Sequence, residues 1–230
     1  MTDSKERSGR VSRVSGPIIR GTGLGNLGLY DVVEVGPKRL IGEIVRLEAS
    51  DAIIQVYEEN TGLMPGDPIY SSGRPLSVLL GPGLIGTIYD GIQRPLRSLY
   101  ESSGAFLQPG VQGDKLDTAK LWPFTPNGEL ADKLASGEDV FITDGLLLGS
   151  VVETASLTCR ILVPPSLGFT GEDRLAGENA LGQSTEGEKL VFLAGAGEYR
   201  VFDEIARTSS GQSISMAQWW PVRKARPVKQ

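Results

Sequence analysis

Thirty glycines and 14 prolines, spread through 230 residues without a repeating period, constrain this chain more than any other feature. Glycine supplies the backbone angles of tight turns and proline ends helices, so such a chain reads as short strands joined by turns. The apolar pattern agrees. Between residues 9 and 80, six strings carry strand character: GRVSRVSG, PIIR, LYDVVEVG, RLIGEIVRLE, DAIIQVYEE and LSVLL. In RLIGEIVRL, Leu40, Gly42, Ile44 and Arg46 alternate with Ile41, Glu43, Val45 and Leu47, which leaves apolar residues on both faces. Such partial alternation suits a closed small barrel, where twist and neighbours cover much of each strand. The expected fold class is mainly β: an antiparallel β-barrel of six-stranded type over residues 1–80, a second β-rich domain, and few short helices.

From Leu84 the period changes. Ile85, Ile88, Tyr89, Ile92, Leu96, Leu99 and Tyr100 follow at spacings of three and four, as one face of a helix would. Pro95 interrupts the pattern, so the connecting segment 81–104 is expected to form two short helical pieces with a turn from Gly91 to Pro95. Residues 105–218 return to strand-like strings: DVFIT, GLLLGSVVE, LTCRILV, EKLVFLAG, EYRVF and SISMAQW, with a brief helix over FDEIAR. The glycine-rich, acidic span 166–189 is expected to be an exposed loop. A closing segment, 219–230, carries Arg223, Lys224, Arg226 and Lys229.

Composition excludes several functions. A net charge of −5 and a pI near 5.0 argue against nucleic acid as a partner, since phosphate binding requires a dense basic surface. Arg10, Arg13 and Arg20 near the start, and the basic closing segment, read as solvated faces or linker. No histidine and one thiol, Cys159, remove the imidazole and thiolate sets that hold zinc and other transition metals. The start, MTDSKERSGR, lacks the apolar run of a secretory signal, and no stretch approaches the roughly 18 apolar residues of a spanning helix. The expected location is cytoplasmic, with any membrane association made through partners.

Motifs for catalysis fail one by one. Gly23-Leu24-Gly25-Asn26-Leu27-Gly28 matches G-x-G-x-x-G, but a strand-like string follows where a dinucleotide site needs a helix N-terminus, so a barrel turn is expected. There is no Gly-Lys dipeptide, and therefore no Walker A loop; Val140 to Asp144 then reads as a strand entering an Asp-Gly turn. Cys159 has no histidine to activate it and sits in an apolar strand. The carboxylate pairs Glu58-Glu59 and Glu172-Asp173 read as acidic surface, and Trp122, Trp219 and Trp220 as packing residues bounding the second domain. The site expectation is accordingly none: no catalytic, cofactor-binding or metal-binding residue.

Two strings carry a resemblance, GPGLIGTIYDGIQRPL at Gly81 to Leu96 and WWPVRKARPVKQ at Trp219 to Gln230. Both resemble the catalytic A (alpha) subunits of V-type and archaeal-type rotary ATPases, in their N-terminal part, ahead of the phosphate loop. Further strings are similar to that family's: GRVSRVSGPII, AIIQVYEENTGLMPGDPI, WPFTP, ETASLTCRILVPP and GEYRVFDEIA. Departures occur at Pro123 and at Cys159-Arg160, where the family often has histidine and His-Lys.

The resemblance implies an N-terminal barrel that helps hold a hexamer of A and B subunits, and an inserted, so-called non-homologous, domain facing the peripheral stalk. It implies that residues 219–230 lead back towards a nucleotide-binding domain. It implies Mg-ATP as cofactor of the full-length protein, none in this chain, and a position at the cytoplasmic face of a membrane whose ion-translocating sector moves protons or sodium ions. A stand-alone β-barrel binding or assembly module without ATPase activity is the alternative. A biotin- or lipoate-carrier module would need a lysine beside Met64, Met216 or the initiator, and none is there.

Overall fold

The computed structural model describes residues 7–104, 109–111, 113–165 and 188–223. Most of the 166–189 span, and Lys224, Arg226 and Lys229, lie outside the described residues. The chain divides into two compact units, Met1–Ser77 with Leu96–Gly113, and Val78–Pro95 with Asp114–Gln230. The sequence order of barrel, connector and second domain is therefore interleaved: the first half of the connector belongs to the second unit and the rest to the first.

The first unit is a closed antiparallel barrel of β1 (Arg7–Ser15), β2 (Ile18–Thr22), β3 (Asp31–Val35), β4 (Leu40–Glu48), β5 (Asp51–Val56) and β6 (Pro68–Pro75). Its strands follow the order β1-β2-β5-β4-β3-β6, and β6 pairs back onto β1. Alternate residues point inwards. Ile19, Val33, Val35, Ile44, Ile54 and Ile69 are fully buried and, with Val11, Leu24 and Leu40, make one core. Apolar burial of this kind contributes about 25 cal/mol per Å² removed from water. Gly42 is required by close approach, because a Cβ there would lie 2.9 Å from the Gln55 carbonyl oxygen across the β4–β5 ladder.

One strand departs from the sequence expectation. The sixth stave is Pro68–Pro75, not LSVLL: β7 (Ser77–Leu80) belongs to the second unit. PIYSSGRP looks like turn sequence because proline bounds it and Gly73 interrupts it, but both prolines sit at strand ends, where a missing amide donor is tolerated. Helix α1 (Leu96–Ser103) follows Pro95 as expected, whereas no helix forms over Leu84 to Ile92.

The second unit contains β8 (Leu121–Pro126), α2 (Gly128–Ala135), β9 (Val140–Phe141), β10 (Leu147–Thr154), β11 (Leu157–Leu162), β12 (Lys189–Leu193), β13 (Gly197–Arg200), β14 (Glu204–Thr208), β15 (Ser213–Ser215) and β16 (Gln218–Pro221). Two four-stranded sheets, β11-β10-β8-β13 and β15-β14-β12-β9, and a β16-β7 pair surround one apolar core. Phe124, Leu148, Val151, Ile205 and Met216 lie at its centre. FDEIAR contributes to strand β14 rather than to a helix: Ile205 and Ala206 are wholly buried at its centre, and β12 and β15 pair with it on either side. Helix α2 is an addition to the expected elements, although its caps are readable. The Asn127 side chain accepts from the Glu129 amide at the N-terminus, and Gly137 follows the C-terminus with φ of +78°.

Candidate functional site

The Gly81 to Leu96 string folds into a clasp of turns, and its residues explain why helix fails there. Gly86 has φ of +90° and Gln93, not a glycine, has φ of +60°, both left-handed and incompatible with a continuing right-handed helix. Asp90 closes the loop on itself. One of its carboxylate oxygens accepts the amides of Ile92 (3.1 Å) and Arg94 (2.8 Å), while the other accepts Arg94 Nε at 2.7 Å. The Asp90 amide donates to the Arg94 carbonyl, and Tyr89 bridges to Pro95.

Gln93 fastens this loop to β7. Its side-chain oxygen accepts the Leu79 amide and its Nε2 donates to the Leu79 carbonyl, each at 2.7 Å, so one amide group completes both backbone positions of a strand residue. The pair is buried, with Gln93 9% exposed. Two more ties hold the loop. The Gly83 amide donates to Glu153 Oε2 on β10 at 2.9 Å, and the Tyr89 hydroxyl donates to the Lys115 carbonyl at 2.8 Å.

The electrostatics follow from these contacts. Burial raises the Asp90 carboxyl, but the hydrogen bonds from Arg94 and Ile92, with the Arg94 charge, outweigh it and hold the group below the usual carboxylate range. Burial pushes the Lys115 ammonium below its ordinary value, with Arg94 acting the same way and Asp90 opposing. Lys115 Nζ lies 3.4 Å from the Ile92 carbonyl oxygen and 5.1 Å from the Trp219 ring centroid.

The residues singled out for chemistry fall on several different elements. Gly23 to Gly28 is the turn between β2 and β3, with Leu24 buried in the barrel core and the Gly28 amide donating to Asp31. Asp144 follows strand β9 in a turn, Cys159 is half-buried on β11, and Trp122 and Trp220 are buried with Trp219 packed beside the core. Glu58 accepts the amides of Ile41 and Gly110 and so acts as a structural acceptor in the barrel unit. Glu172 and Asp173 lie outside the described residues.

Among the described residues no three His, Cys, Asp or Glu side chains gather to hold a metal ion, and no helix is long and apolar enough to cross a membrane. A hollow of about 100 Å³ beside Val35, Leu40 and Leu63, and one of about 10 Å³ beside Cys159 and Met216, are both smaller than a small-molecule site requires. The hydrogen bonds of the clasp position backbone. Sequence reading picks out the clasp's string but not Gln93 or Lys115; the turn signal Asp90-Gly91 is the available clue.

Two family models match the two units in order. The "ATP synthase alpha/beta family, beta-barrel domain" covers residues 11–73, and the "ATPsynthase alpha/beta subunit barrel-sandwich domain" covers residues 113–223. Among curated proteins, the A subunit of the A-type ATP synthase of Hyperthermus butylicus is 42% identical over 226 residues, covering 96% of this chain and 33% of the relative. The corresponding A-type ATP synthase protein of Methanosarcina barkeri is 39% identical over 224 residues, 97% of this chain and 34% of its own length. The V-type ATP synthase alpha chain of a Thermoanaerobacter species is 41% identical over 226 residues, 96% of this chain and 34% of its own. The chain spans about a third of the length of these three relatives.

Proposed function

Since the chain belongs to the ATP synthase alpha/beta family and corresponds to the N-terminal portion of the A (alpha) subunits of A-type and V-type ATP synthases, we propose that it is an assembly module of such a catalytic subunit. In this reading the barrel takes part in holding together a hexamer of A and B subunits, and the second unit contacts the peripheral stalk. The full-length protein couples ATP turnover to proton or sodium transport at the cytoplasmic face of a membrane, with Mg-ATP bound beyond this portion. The observation that carries the reading is the identity of 42% over 226 residues, spanning both units, which favours a subunit portion over a stand-alone module.

The fold suits the role. Closure of the barrel pairs each of its strands on both sides, so contacts with neighbours run through exposed side chains such as Leu29, Tyr30 and Leu47 rather than through strand addition. Catalysis is assigned elsewhere because the sequence has no Gly-Lys dipeptide to form a phosphate loop. Titration calorimetry with Mg-ATP tests that assignment. The expected result is no saturable heat and no phosphate release; micromolar binding with turnover would refute it.

A further inference from the structure

The sheet β15-β14-β12-β9 has an inner side that supplies Val140, Leu190, Ile205 and Ala206 to the core. Its outer side is also apolar: Phe141 is 54% exposed, Val191 55% and Phe192 43%. Strand register makes these three neighbours. Phe141 lies opposite Lys189, so Val191 is its diagonal neighbour across the β9–β12 ladder. A bulge between Leu190 and Phe192, where β12 pairs with β14, adds the third. Regular alternation after the buried Leu190 would turn Val191 outwards and Phe192 inwards, whereas the bulge turns both outwards and sets Phe192 opposite Arg207. Contiguous apolar surface of this kind marks a docking site, and here the backbone departs from regular register to extend it.

The charge left around these side chains is negative. Lys189 is paired with Asp139 at 2.6 Å and lies 5.6 Å from the Phe141 ring centroid; Arg207 is paired with Glu204 and lies 5.9 Å from that of Phe192. Both cations of the face are thus already matched. Glu138, just before β9, and Asp132 on α2, which packs against β9 and β12, are exposed and have no cation within ion-pair distance among the described residues. We propose that the face carrying Phe141, Val191 and Phe192 docks a basic amphipathic helix of a partner protein. Its apolar stripe covers the two rings and Val191, and its lysines or arginines meet Glu138 and Asp132. A helix fits because sheet faces bury their apolar residues against a helix or a second sheet, and the unmatched carboxylates favour a cationic one. That a partner exists rests on the assembly reading above; its chemistry rests on the face itself.

Fluorescence anisotropy measures binding of a labelled lysine–leucine amphipathic helix of about four turns to the 230-residue chain, with a glutamate–leucine helix of the same pattern for comparison. Saturable binding of the lysine peptide is expected, with the glutamate peptide binding several-fold more weakly. The double variant Phe141→Ser/Phe192→Ser is expected to weaken the lysine peptide about tenfold, and Glu138→Lys several-fold. Leu121→Ser, at an exposed position on the other four-stranded sheet, leaves binding unchanged. Urea unfolding midpoints separate lost docking from lost fold, and Glu138→Lys tests the charge without touching the rings. No saturable binding, equal binding of the two peptides, or undiminished binding by the Phe141→Ser/Phe192→Ser variant overturns the proposal. So does a dimer in sedimentation equilibrium that the same variant dissociates, since a second copy is then the occupant. Failure with the peptide overturns the docking surface alone; the assembly reading fails only if the chain forms no complex with other subunits.

Discussion

Gln93 does with one side chain what a neighbouring strand residue does with its backbone. Its amide saturates both the N–H and the C=O of Leu79, at the cost of a left-handed backbone that a residue with a Cβ adopts reluctantly. Truncation leaves two buried backbone groups of β7 without their partner, each worth about 1–3 kcal/mol when unsatisfied. Gln93→Ala is therefore expected to lower the stability of the second unit by about 2–4 kcal/mol, the upper end being reduced by non-additivity. Urea unfolding followed by tryptophan fluorescence checks this, since Trp122, Trp219 and Trp220 all lie in that unit. An unchanged midpoint would mean that β7 is held by other contacts. Gln93 is not legible in the sequence because its role depends on Leu79, 14 residues away, and no local period marks such a clamp.

At the level of elements, strands with an internal pattern are readable and those defined by tertiary partners are not. β3 and β5 announce themselves by partial alternation, and burial follows it at Val33, Glu34 and Val35 and at Ile54, Gln55 and Val56. β6 and β8 each carry two prolines, so only their neighbours identify them as strands. FDEIAR fits either period over so short a run, which is why a helix is expected where β14 forms. The clasp at Leu84 to Pro95 fails as a helix for a different reason, since Asp90 offers its carboxylate to the loop amides in competition with helical carbonyls.

That carboxylate makes the clasp sensitive to acid. The folded-state value of Asp90 lies below that of the unfolded chain, so its contribution is complete above about pH 4 and is lost as pH falls through the folded value. Asp90→Asn should remove this dependence. The stability difference between wild type and variant is expected to be largest near pH 6 and to shrink below about pH 4. A difference that stays constant, or grows in acid, would show that the Asp90 charge does not hold the clasp.

At the scale of the whole molecule, the family resemblance is legible because GPGLIGTIYDGIQRPL is long and compositionally unusual, and the two family models fall on the two units. The interleaving of the units is not legible, because it depends on which residues meet rather than on order along the chain. The polar groups of the clasp tie backbone to backbone, and the function proposed for this portion rests on association with other subunits. Native mass spectrometry of the chain mixed with the B subunit of an A-type ATP synthase tests that claim most directly. Complexes containing both chains are predicted, and spectra showing only the separate components at micromolar concentration would contradict it.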